Sequence, residues 1–137
     1  MTTVFTVNIS FDEAGEQIIL EEGAGKNGIV TFLPTKKAAH ISVYTPDDIQ
    51  SATGMIFNTF PTKKTNGIYP VQDESGAVEV TVAAEAAICI SDQEPCILGF
   101  LNLIPILTNG SGTPIAYEGE GPAPIITLLF SVREMEQ

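Results

Sequence analysis

The sequence has few basic residues. Six lysines and arginines stand against 17 aspartates and glutamates in 137 residues, which gives a formal net charge of −11 at pH 7. A chain this acidic repels phosphate groups, which argues against nucleic acids and anionic membranes as partners. The same charge favours solubility at high local concentration.

Histidine and tryptophan are also scarce: the chain has one histidine, His40, and no tryptophan. His40 lies in a strand-like pattern with no nucleophile motif nearby, so we expect a solvent-facing strand histidine rather than a catalytic base. The acidic pairs are sequence neighbours in turns, and these do not supply the two carboxyl groups across a cleft that a glycosidase needs. The sequence therefore predicts no catalytic residue, no cofactor and no enzymatic activity.

Only two cysteines are present, Cys89 and Cys96, on either side of a turn-like segment. Their spacing is not that of metal ligands, and a single histidine adds no second ligand class. We expect two reduced thiols that lie close together, with a disulfide between them as the alternative, and no metal site. Calcium stays open as an alternative at Asp47/Asp48 or Asp73/Glu74, although neither pair has the spacing of an EF-hand.

Long hydrophobic runs are missing as well. The amino-terminal segment has no basic region followed by an apolar stretch, so it does not resemble a signal peptide. The most apolar segment, Cys96–Leu107, is too short to span a membrane and contains Pro105. We expect a protein made in a cytoplasm, with no membrane partner.

Alternation of apolar and polar residues dominates the rest of the chain. It is clearest in residues 3–11, 38–44 and 77–82, and turn residues separate these segments. About eight or nine short strands with little helix predict an all-β, antiparallel β-sandwich, immunoglobulin-like or jelly-roll-like. No linker divides the chain, so residues 1–137 are expected to form a single domain.

The segment Cys96–Leu107 is apolar without alternation, which predicts a strand buried on both faces. We expect it to pair with Ile125–Val132 in a long hairpin that forms the centre of the fold. The core is expected to contain Val78, Val80, Val82, Leu98, Phe100, Ile126, Leu128 and Phe130.

Residues 108–124 form a long Gly/Pro-rich connection, and such connections are often functional. Ile115 and Tyr117, which lie among its glycines and prolines, are expected to be exposed and to contact a partner. The alternative is a disordered hairpin tip. Two similar tetrapeptides, residues 34–37 and 61–64, carry four of the six basic residues. The lysines of these tetrapeptides are Lys36, Lys37, Lys63 and Lys64. They either protect strand edges or are docking points for an acidic neighbour.

The order of these segments resembles the immunoglobulin-like amino-terminal domains of bacteriophage baseplate and fibre proteins. The resemblance includes the early alternating strand, the Pro-Asp turn in residues 43–47, the Val-x-Val-x-Val strand of residues 78–82 and the closing Phe130-Ser131-Val132. Asp48 stands where a glycine usually follows the Pro-Asp turn. The resemblance implies a virion structural module without catalytic activity, and it transfers no functional residue.

The expected function is therefore that of a non-enzymatic structural or interaction domain of a phage particle. Tail, baseplate, head fibre and capsid decoration all fit this expectation. Its partners would be other virion proteins, itself in a homo-oligomer, or both. The alternative is a β-sandwich module that binds a small ligand or a carbohydrate.

Overall fold

Two main antiparallel β-sheets pack face to face in a computed structural model that describes residues 2–18, 33–35, 37–61 and 67–135, and a third, two-stranded sheet is formed by residues 72–73 and 76–77. The predicted all-β sandwich is confirmed. The strands, in chain order, are β1 (Thr2–Ile9), β2 (Leu33–Pro34), β3 (Ala38–Tyr44), β4 (Gly54–Thr59), β5 (Tyr69–Pro70), β6 (Gln72–Asp73), β7 (Gly76–Ala77), β8 (Glu79–Thr81), β9 (Ala87–Cys89), β10 (Asn102–Thr108) and β11 (Ile126–Glu134).

Sheet A has the strand order β1-β11-β3-β9. Strands β1 and β11 pair along eight residues, from Thr2 opposite Arg133 to Ile9 opposite Ile126. Strand β11 alternates buried and more exposed residues, because one face covers the core and the other faces solvent. The predicted strand Ala38–Tyr44 is confirmed with the same bounds as β3.

Sheet B has the order β2-β10-β4-β5, and β8 also pairs with β4. All seven residues of β10 are buried, as expected for a strand covered on both faces. Pro105 lies inside this strand. The backbone N–H and C=O of Leu107 face away from β4. Residues two apart on a strand direct these groups to the same side, so an N–H at Pro105 would also face away from β4. Proline at this position therefore removes no hydrogen bond between β10 and β4.

The predicted central hairpin is wrong. Strand β10 pairs with β2 and β4, whereas β11 pairs with β1 and β3 in the other sheet. The apolar segment is also shorter as a strand than expected, because Pro95–Gly99 forms a 3₁₀ helix. Proline at the first position of this helix has the φ angle that the turn requires.

The core lies between the two sheets. Val78, Val80 and Val82 are buried as predicted, together with Ile126, Leu128 and Phe130, whereas Leu98 and Phe100 are only partly buried against the core. The remaining helix is a single turn, α1 (Ile90–Gln93), which follows β9 directly. In the described residues, no helix is long and apolar enough to cross a membrane.

Candidate functional site

The long connection between β10 and β11 packs onto the body of the protein. The N–H of Ile115 donates to the Leu107 carbonyl oxygen (3.0 Å), and the Ile115 side chain is only 6% exposed within the core. The expectation that the Ile115 side chain is exposed is therefore wrong, while its contact with a partner stays a prediction. Burial of its side chain supplies the connection with a hydrophobic anchor of its own.

The side chain of Gln17 holds Ile115 in place by forming hydrogen bonds with the backbone of β10, as a neighbouring strand would. Its side-chain amide donates to the carbonyl oxygens of Leu107 (2.7 Å) and Ile115 (3.0 Å), and its amide oxygen accepts from the N–H of Leu107 (2.9 Å). These bonds satisfy backbone groups of β10 that β4 does not reach. Nothing in the local sequence distinguishes Gln17 from a surface glutamine.

Tyr117 is half-buried against the first turn of the chain. Its N–H donates to the Gly15 carbonyl oxygen (2.7 Å), and its ring centroid lies 6.0 Å from that of Phe11. Its hydroxyl donates to the carbonyl oxygen of Glu120 (3.2 Å). Tyr117 therefore holds the connection in place, and only part of its ring remains open to a partner.

A cleft of about 440 Å³ separates this turn from the connection. Its walls include the rings of Phe11 and Tyr117, and its carboxylates come from Asp12, Glu13 and Glu118. Asp12 is engaged already, because its Oδ1 accepts from the N–H groups of Ala14 and Glu16. Aromatic faces beside carboxylates suit a small cationic group.

Of the four lysines predicted to dock a partner, only Lys37 lies in the described residues. It is exposed and has a φ angle of 62° at the turn before β3. Lys36, Lys63 and Lys64 lie outside the described residues. Two of the carboxylates considered for calcium already form hydrogen bonds within their own turns. Asp48 accepts from the N–H of Gln50, and Asp73 accepts from the N–H of Ser75.

Strand β1 lies at one edge of sheet A, and among the described residues no strand pairs with its outer edge. We call the backbone N–H and C=O groups of Thr2–Ile9 that face away from β11 the β1 edge. Its eight residues include no proline and no charged side chain. Long, uncharged edges of this kind invite pairing with another strand.

The other described edges are short or capped. Strands β6 and β7, which pair with each other, are two residues long. Strands β2 and β5 are two residues long and contain proline, and β9 runs directly into α1. The edge of β8 is capped by Gln93, whose side-chain amide bonds both the N–H (2.7 Å) and the carbonyl oxygen (3.0 Å) of Thr81. The β1 edge is thus the exception within the described part of the chain.

On the outer face of sheet A, strand β1 and residues 126–133 of β11 carry no acidic side chain. Val4 is 59% exposed there and Leu129 is 40% exposed. Register places Thr6 opposite Leu129 and Val4 opposite Ser131. In a chain with a net charge of −11, an uncharged strip of this kind marks a surface on which two acidic molecules can approach.

Among the described residues, two groups of side chains bring metal-ligating atoms together. The first contains His40, Cys89 and Asp92, and the second contains Asp73, Glu94 and Cys96. Both cysteines are free thiols. Burial, followed by the carboxylates of Glu94 and Asp73, raises the pKa of the Cys96 thiol.

The sequence analysis missed Gln17, the β1 edge and the first of these groups. Each depends on contacts between residues far apart in the chain, although Cys89 and Asp92 offered a local signal three residues apart. Comparison of the chain with protein-family models, with curated proteins and with solved structures gives no match.

Proposed function

We propose that the protein is a non-enzymatic structural domain that assembles with copies of itself by strand addition at the β1 edge. The observation that carries this proposal is the contrast between the β1 edge and the protected edges around it. In strand addition, main-chain hydrogen bonds provide affinity and alternate side chains provide specificity.

A second copy is a suitable partner for this strand. An antiparallel pair of β1 strands centred on Val4 aligns Thr2 of each copy with Thr6 of the other, which gives favourable cross-strand pairs. Because β1 has no charged residue, pairing places no like charges opposite each other. Two four-stranded sheets would then join into one continuous sheet.

The resemblance of the sequence to phage baseplate and fibre domains favours a virion as the setting of this assembly. Tail, baseplate, head fibre and capsid decoration are all built from repeated copies of structural domains. Other virion proteins that present a free strand would be further partners for the same edge.

The test compares two double variants that add the same charge at two pairs of positions that lie opposite each other on β1 and β11. Val4→Lys/Thr6→Lys places lysines on the edge strand, whereas Leu129→Lys/Ser131→Lys places them one strand inward. Lysines on an edge strand oppose intermolecular pairing. We expect the parent protein and the inward variant to form dimers or larger assemblies, and the edge variant to be monomeric, by mass measurement in solution.

Circular dichroism and thermal melting should show that both variants remain folded. A parent protein that stays monomeric at millimolar concentration would overturn the proposal. If the inward variant were the one that dissociates, the interface would be the outer face of sheet A and not the β1 edge.

The alternative of a small-ligand module has the cleft beside Tyr117 as its site. Its carboxylates and aromatic rings favour a small cationic ligand over a carbohydrate. A monomeric parent protein would favour this alternative, since a soluble binding module does not need to assemble.

A further inference from the structure

Strand pairing brings a histidine and a cysteine to the same face of sheet A. Cys89 on β9 lies opposite Ser42 on β3, and His40 lies two residues before Ser42. Side chains two residues apart on a strand point to the same face, so His40 and Cys89 are diagonal neighbours. The turn of α1 that follows β9 adds Asp92.

The ligand atoms of these three residues lie within 4.8 Å of one another. Metal–ligand distances in a zinc site are about 2.0–2.3 Å, so two ligands of a tetrahedral ion lie roughly 3.3–3.8 Å apart. Small side-chain rotations therefore bring the three atoms to bonding distance of one ion. We propose that His40, Cys89 and Asp92 bind a zinc ion, with the fourth position open to water.

The backbone that carries these ligands is held in place. Ser91, which lies between Cys89 and Asp92, is buried, and its Oγ accepts a hydrogen bond from the N–H of Ile41 (3.0 Å). This bond fixes the start of α1 against β3 at the residue next to His40. Such positioning lowers the conformational cost of ligand binding.

The side chains themselves are available. Within the described residues, neither the imidazole of His40 nor the carboxylate of Asp92 forms a hydrogen bond or an ion pair, and both residues are exposed. Cys89 is half-buried, and its Sγ lies 3.7 Å from the Ser91 hydroxyl. A metal therefore displaces no strong interaction.

The donor set selects the ion. Thiolate sulfur and imidazole nitrogen favour zinc, whereas calcium and magnesium prefer oxygen ligands alone. The charges of the Cys89 thiolate and the Asp92 carboxylate balance those of Zn²⁺. In the part of the chain that the structure describes, the cationic residue Arg133 on β11 lies opposite His40. Its repulsion opposes the metal, and the Arg133→Gln variant should therefore bind zinc more tightly.

Titration of the purified protein with Zn²⁺ tests the site, with Co²⁺ as a spectroscopic substitute that shows a charge-transfer band when a thiolate binds. We expect one equivalent of zinc per chain. His40→Gln and Cys89→Ser should each lower the affinity by more than about tenfold, because they remove a direct ligand. Zinc should also raise the melting temperature of the parent protein and not that of Cys89→Ser.

Cys96→Ser is the matched control, because Cys96 belongs to the other group of acidic and thiol side chains. It should retain both the affinity and the charge-transfer band. The absence of saturable binding at micromolar zinc would overturn the proposal. So would binding that survives in Cys89→Ser, or binding lost in Cys96→Ser alone, which would assign the ion to the second group. None of these outcomes depends on assembly through β1.

Discussion

A single glycine determines how closely the connection between β10 and β11 approaches the first turn. Gly15 has a φ angle of 83°, and a Cβ atom at this position would overlap the carbonyl oxygen of Tyr117. Only glycine adopts such an angle without penalty and also leaves room for the neighbouring backbone. The hydrogen bond from Tyr117 to Gly15 depends on that room.

Gly121 provides a comparison for this effect. Its φ angle of 85° is almost the same, but a Cβ atom there would meet nothing within 4 Å. We expect Gly121→Ala to lower the free energy of unfolding by about 1–2 kcal/mol, the cost of the left-handed backbone alone. Gly15→Ala should cost a further ~1–3 kcal/mol, because the connection must move as well.

Urea unfolding of the two variants measures this difference. Equal losses in both variants would contradict the close approach at Gly15. A larger loss in Gly121→Ala would mean that the connection depends on its own turn more than on its contact with residues 11–15.

At the level of the strands, two glutamines protect edges by the same means. Gln17 bonds the backbone of Leu107 on β10, and Gln93 bonds that of Thr81 on β8. The bonds of Gln17 are partly buried and those of Gln93 are exposed. Water can replace a lost partner only where the edge is accessible to it.

We therefore expect Gln17→Ala to lower the free energy of unfolding by about 1–3 kcal/mol, because the N–H of Leu107 loses its partner in a buried strand. Gln93→Ala should cost less than about 1 kcal/mol. Chemical denaturation of both variants provides the measurement, and similar losses in the two would show that Gln17 does not hold the connection.

Strand existence was more predictable than strand pairing. The alternation in β3 gave its bounds directly, because period-two alternation reflects one covered face. The continuous apolar character of residues 103–107 correctly indicated burial on both faces. It did not indicate which strand lies alongside, since the same side chains would suit any central position.

The candidate sites were less predictable still. Ile115 was expected to be exposed because Gly and Pro surround it, but the side chain of Gln17, 98 residues away, helps to hold it against the core. The grouping of His40, Cys89 and Asp92 follows from the pairing of β3 with β9, which no local pattern specifies. The position of β1 at the margin of sheet A, with no described strand on its outer side, likewise follows from the strand order.

For the whole molecule, net charge and assembly oppose each other. Each copy has a formal charge of −11, so two copies repel at long range, while the β1 edge that we propose as the interface has no charge. Salt shortens the range of this repulsion, from about 10 Å at 0.1 M to about 3 Å at 1 M. We expect self-association through β1 to strengthen as salt concentration rises.

Analytical ultracentrifugation across this salt range is the measurement, with the Val4→Lys/Thr6→Lys variant as the control that stays monomeric throughout. Weaker association at high salt would contradict a charge-free interface. It would indicate instead that ion pairs between copies hold the assembly together.

The position of β11 has a consequence for the order in which the protein folds. This strand, the last in the described chain, lies between β1 and β3, so sheet A cannot form until β11 has been synthesised. Pairing of Thr2 with Arg133 is among the most non-local contacts that a chain of this length can make, and such contacts slow folding. Until β11 arrives, the edge of β1 that it covers stays unpaired on the nascent chain, and unpaired strand edges on incompletely folded chains are prone to pair with other chains.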